Sequence, residues 1–161
     1  MKKLKTKVHY LKPSYDFRPE KGQVICTLDF FINLNEIPCI ETLWNNKKFQ
    51  KLISRFRIYE YYDGTYPDIE MTINGYANTN EGDNFDPEFG RKIALTRAQK
   101  KAFKIAREFY YDCFRIISDL IYGNNVILGL ENLSINCHAS YNNCHCHIRK
   151  LIFQKYENNS I

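Results

Sequence analysis

The chain contains no run of about 18 apolar residues, so nothing in it reads as a membrane-spanning helix. Its first residues, MKKLKTK leading into VHYLKPSY, lack the apolar core of a secretory signal, and a soluble, cytoplasmic protein is expected. Also missing are G-x-S-x-G, the P-loop and the dinucleotide fingerprint. Hydrolytic or nucleophilic chemistry therefore has little support, and the expectation is a protein that is not an enzyme. Cys144 and Cys146 flank His145, but neighbours in sequence seldom have the geometry of a thiolate pair. The low hydrophobicity of disordered chains is absent too: 44% of residues are hydrophobic and 15% aromatic, with 12 Tyr and 11 Phe. At 161 residues one domain with a real core is expected. The net charge of +5 permits an anionic partner without identifying one. Without a secretory signal, the six cysteines read as reduced thiols or metal ligands.

What is present divides into a strand-rich half and a helical half. GQVICTLDFFINL, 22–34, is rich in β-branched and aromatic residues and predicts a strand with a buried face. The preceding KVHYLKPSYDF suits an edge strand, because Pro13 interrupts a central one. In 36–55, Leu43, Trp44, Phe49, Leu52 and Ile53 recur at helical spacing and predict one short helix. Residues 55–79 predict a hairpin: Phe56, Ile58 and several Tyr lead to Asp63-Gly64, after which Ile69, Met71 and Ile73 alternate with polar neighbours.

At Asp86 the period changes to helical. Asp86 suits the N-cap, Pro87 the first helical position, and Glu88 the positive end of the helix dipole, while Asp83 can bond amides of the entering turn. The stop falls at Gly123, a candidate left-handed cap. Such a helix is ~54 Å long at 1.5 Å per residue, against a radius of gyration of roughly 15 Å for a domain of this size. It overshoots its own domain, so it either kinks or packs against a second copy in a homo-oligomer, and the second is expected. Gly90, Ala94, Ala98, Ala102 and Ala106 form a stripe of small residues at i+4 spacing, suited either to a sheet beneath the helix or to a second helix. After Gly123, VILGLENLSI reads as a strand or short helix and FQKYENNSI as a frayed tail. The expected organisation is an α+β domain over 1–123, an antiparallel β-sheet packed with the long basic helix and a shorter one. A Cys/His-rich extension over 124–161 packs on the same domain.

Two constellations carry possible chemistry. Arg91, Lys92, Arg97, Lys100, Lys101, Lys104 and Arg107 follow one another without an acidic residue between them, which suits either a solvated cationic face or a phosphate site. Arg97 stands at the edge of the apolar face, four residues after Ile93 and eight after Phe89, where a guanidinium needs an anion: Asp83, Asp86 or a bound phosphate. Phe85, Phe89, Tyr59, Tyr61 and Tyr62 supply rings that serve as core or as stacking platforms. The second constellation is NCHASYNNCHCHIRK, in which Cys137, Cys144, Cys146 and His147, with His138 and His145 nearby, offer sulfur and imidazole ligands for zinc, although the spacing is not C-x2-C.

GYANTNEGDNFDPEFGRKIALTRA resembles a pattern of small phage-encoded proteins: G-x-A closing a strand, D-x-F-D, then G-x-x-I-A-x-x-R-A on a helix. The matching residues are Gly75, Ala77, Asp83, Phe85, Asp86, Gly90, Ile93, Ala94, Arg97 and Ala98. This stretch is similar to the Thoeris anti-defence sponge family, phage proteins that sequester a nucleotide immune signal. The resemblance implies an α+β subunit in a homo-oligomer whose interfaces bind cyclic ADP-ribose isomers or cyclic oligonucleotides without turnover, in the host cell cytoplasm. It makes Phe85, Arg91, Arg97, Lys101 and Lys104 the ligand candidates and Asp83, Asp86 and Gly90 the shapers of the turn. Segment 36–55 and the chain after Gly123 have no counterpart in the pattern. The rival expectations are an inhibitor that binds nucleic acid or a host nucleoprotein, such as an anti-CRISPR protein, through helix 91–107, and a zinc-stabilised interaction module at 137–147.

Overall fold

The computed structural model describes residues 8–59, 66–80, 83–120 and 124–158. It is an α+β fold in which long helices lie on one face of an antiparallel sheet. Strand β3 (Gln23–Asn33) is central: Val24, Cys26, Leu28, Phe30 and Ile32 are buried in strict alternation with partly exposed residues. That period of two puts every second side chain under the helices. On one side β3 pairs with β1 (Val8–Tyr10) and β2 (Ser14–Arg18), which share one edge with a break between them. Pro13 lies in the break, so the ring without an N–H costs no ladder bond. On its other side β3 pairs along its whole length with β5 (Asp68–Asn78).

The expected hairpin is present as an antiparallel pair, β4 (Arg57–Tyr59) on β5. Tyr61, Tyr62, Asp63 and Gly64 lie outside the described residues. The pairing covers only Asp68–Glu70, so beyond Glu70 the outer edge of β5 has no strand partner among the described residues. The single short helix expected in 36–55 is instead two, α1 (Ile40–Trp44) and α2 (Lys47–Ile53). Asn46 divides them, its carboxamide accepting from the amides of Lys48 and Phe49 as an N-cap. Leu43, Phe49, Leu52 and Ile53 are buried as the spacing predicted.

Helix α3 (Pro87–Ser118) starts where expected: the Asp86 carboxylate accepts from the Phe89 amide at 2.9 Å. It ends at Ser118, before Gly123, where Leu120 donates to the Ile117 carbonyl and tightens the last turn. The chain then enters α4 (Asn124–Asn158), one helix where a strand or short helix and a frayed tail were expected. Helix α4 runs antiparallel to α3, as the contacts of Arg107 with His138 and Lys100 with His145 show. The length of α3 is therefore matched within the same chain. Leu133 and Cys137 of α4 belong to the cluster of Phe49, Phe109 and Tyr110, and Ile148 to that of Val24, Ile93 and Ala98.

The stripe of small residues lies on the sheet, one of the two arrangements it suits. Gly90, Ala94, Ala98, Ala102 and Ala106 are all buried. A Cβ on Gly75 would collide with the Ala94 carbonyl and the Ala98 amide, and one on Gly90 would stand 2.6 Å from Val24. These two glycines set how closely α3 approaches β5 and β3. No helix among the described residues is long and apolar enough to cross a membrane.

Candidate anion-binding groove

The unpaired edge of β5 fixes the site. In a ladder, alternate backbone groups point away from the partner strand, and an uncovered edge leaves them without a strand to bond. Here α3 answers them with side chains. Arg97 Nη1 donates to the Tyr76 carbonyl at 2.7 Å, and Lys101 Nζ donates to the Asn74 carbonyl at 2.6 Å. The match is geometric, because four residues of helix rise about 6 Å and two residues of strand about 6.6 Å. Carbonyl oxygens satisfy these donors without neutralising their charge.

Lys100 turns the other way, towards α4. Its Nζ lies 4.8 Å from the centre of the Tyr141 ring and 3.0 Å from His145 Nδ1, while Lys101 Nζ lies 5.2 Å from the centre of the Tyr76 ring. Together Tyr76, Arg97, Lys100, Lys101, Lys104 and Tyr141 line an open groove of about 410 Å³ between β5, α3 and α4. Among the described residues no carboxylate pairs with these four cations. The ion pairs present, Arg18–Asp16, Lys48–Asp119, Arg91–Glu88 and Arg107–Glu108, engage other residues. The cationic character of the groove is felt at His145. Its pKa is held below the ordinary value, chiefly by the Lys100 ammonium, with loss of solvent and Arg149 acting in the same direction. A neutral ring is what lets Nδ1 accept from Lys100.

The ligand candidates from the sequence are thus divided. Arg97, Lys101 and Lys104 come together in the groove. Phe85 lines a separate cavity of about 100 Å³ at the entry of α3, with Asp83, Asp86 and Gly90. Arg97 lines both spaces. Arg97, for which Asp83 or Asp86 was considered as the anion, donates instead to the Tyr76 carbonyl, and no ion pair of its guanidinium is found among the described residues. Arg91 stands apart, 4.8 Å from the centre of the Tyr15 ring and 3.9 Å from Glu88. Tyr59 belongs to β4, opposite Asp68, at the other end of β5 from Tyr76.

Two groove residues escaped the sequence reading, Tyr76 and Tyr141, while Lys100 entered it only as a member of the basic run. Tyr76 did carry a signal, since alternation places the residue between Gly75 and Ala77 on the opposite face from both. Tyr141 carried none, because α4 was not read as a helix.

The proposed zinc ligands are not brought together. Cys137 is buried against α3, Cys144 is half-buried, and Cys146 and His147 are exposed on one continuous helix. Among the described residues no three His, Cys, Asp or Glu side chains converge as a metal group. Burial pushes the Cys137 thiol up to about 12 and raises Cys144 as well, which opposes thiolate formation. Cys137 and the equally buried Cys113 and Cys26 serve as small apolar core residues. In comparisons with known proteins, the chain matches no family model, no curated protein and no solved structure.

Proposed function

We propose that the protein binds and sequesters a nucleotide immune signal, a cyclic ADP-ribose isomer or cyclic oligonucleotide, without turning it over. In this reading it is a phage counter-defence protein of the host cell cytoplasm, in keeping with the resemblance of residues 75–98. The observation that carries the proposal is the groove: four cations without a carboxylate partner among the described residues, set between two tyrosine rings. A nucleotide needs cations for its phosphates, and the groove volume falls within the range of small-molecule sites. Homo-oligomeric assembly enters through the resemblance alone, because α4 already accompanies α3 along its length.

Calorimetry with cyclic ADP-ribose isomers and cyclic dinucleotides tests this reading. Uptake of one of them is expected, weakened at least about tenfold in the Lys101→Gln, Lys104→Gln double variant, with the ligand recovered chemically unchanged after denaturation. Absence of uptake for every member of both classes overturns the proposal.

A second reading has its own support. The groove is open, and Arg97, Lys101 and Lys104 follow α3 in a line rather than closing around a point, as suits the backbone of a nucleic acid or a nucleoprotein. Binding that falls by orders of magnitude between low and physiological salt favours this polyanion; a small nucleotide shows a shallower dependence. Arg97→Ala, Lys101→Ala and Lys104→Ala variants that all retain the partner would exclude it.

A further inference from the structure

The groove does not stop at Arg97. Phe89, Ile93, Arg97 and Lys101 follow at intervals of four on α3 and so form one strip along the helix. At Arg97 the strip changes from apolar to basic. On the apolar side lies the cavity at the α3 entry, lined by Asp83, Phe85, Asp86 and Phe89, with Phe85 and Phe89 half-buried. On the basic side lies the groove with Lys100, Lys101 and Lys104, and Arg97 borders both. The two spaces carry opposite charge. Carboxylates repel a phosphate and accept hydrogen bonds from amino or hydroxyl groups; the lysines do the reverse. From Ile93 to Lys101 the strip rises about 12 Å, enough to separate a base from its phosphates.

Resting on the nucleotide-binding reading above, we infer that the nucleotide lies lengthwise along α3. Its amino- or hydroxyl-bearing base end occupies the cavity beside Phe85 and Phe89, and its phosphate end occupies the groove on Lys100, Lys101 and Lys104. Arg97 holds the junction. The ligand class that fits is a nucleoside with at least two phosphates, because two cationic turns of α3, at Lys100–Lys101 and at Lys104, stand beyond Arg97. The phosphates draw Lys100 and Lys101 from the tyrosine rings on which they rest. Asp86 keeps one oxygen on the Phe89 amide, so the entry turn stays capped while the cavity is occupied.

Amide-resolved NMR titrations with pyrophosphate, adenosine and ADP test the orientation. Pyrophosphate is expected to shift the amides of 97–104 and the ring signals of His145. ADP is expected to shift these and the amides of 83–89 as well, and to bind about tenfold more tightly through base stacking. Phe85→Ala removes that advantage and leaves pyrophosphate binding unchanged. Should this variant loosen the entry turn, Asp83→Asn, which preserves side-chain size, narrows the gap between ADP and pyrophosphate in the same direction. If ADP and pyrophosphate bind equally and neither disturbs 83–89, the lengthwise placement is overturned while the groove remains an anion site. If neither probe shifts 97–104, the groove reading falls with it.

Discussion

A methyl group at residue 75 would meet the Ala94 carbonyl oxygen and stand 2.6 Å from the Ala98 amide nitrogen, both backbone atoms of a long helix. Neither atom can move without shifting α3, so Gly75→Ala is expected to destabilise the fold by about 1–3 kcal/mol, the range for overpacking. Urea unfolding measures it, and an unchanged midpoint would show that the helix yields. The same scale holds a prediction about charge. Lys100 depresses the His145 pKa, so Lys100→Gln should raise it towards the ordinary value, read from ring proton shifts against pH. The sign at the level of stability follows. A histidine with a depressed folded pKa takes up protons more readily unfolded, so its contribution lowers stability as pH falls through the unfolded value. Removing Lys100 relieves that loss, and anion binding in the groove moves the His145 pKa the same way.

Among the elements, the entry of α3 was the most legible in the sequence. Asp-Pro-Glu at 86–88 states an N-cap, a first-turn proline and a favourable charge in three adjacent residues. Asp86→Ala is expected to cost about 1 kcal/mol in thermal or urea unfolding. Helix α4 was the least legible. Its buried positions are held in part by Cys137, half-buried Cys144 and Ile148, so a helical apolar period is present but written with small, polarizable residues that also read as metal ligands. The test belongs to the exposed pair: Cys146→Ser and His147→Ala should each leave stability within about 0.5 kcal/mol, as for surface positions without special contacts. A zinc-built module would lose most of its stability to either change.

At the scale of the whole molecule, the second long helix changes what α3 means. Taken alone, α3 is too long for the sheet and calls for a partner; the partner is α4, which buries Leu133 and Cys137 in the cluster of Phe109 and Tyr110. Leu133→Ala should therefore cost about 2–5 kcal/mol, as for other buried leucines, and thiol labelling of the native protein should reach Cys146 well before Cys26, Cys113 and Cys137. Rapid labelling of all six thiols would show that α4 does not hold its place on α3.

The sequence by itself determined the elements whose signals are local: the alternation of β3, the proline break at the sheet edge, the cap of α3 and the small-residue stripe, each set by neighbours within a turn or a pleat. It also named three of the four groove cations as ligand candidates, because an uninterrupted basic run is visible without a fold. Only the tertiary structure decided that the stripe faces the sheet, that Arg97 and Lys101 cap the uncovered edge of β5, and that Tyr76 and Tyr141 flank the groove. Those outcomes depend on pairing residues 21, 27 and 41 positions apart in the chain, Tyr76 with Arg97, Asn74 with Lys101 and Lys100 with Tyr141. No local periodicity encodes such a distance; it is set by which strand edge is left unpaired and by how closely Gly75 lets the helix approach.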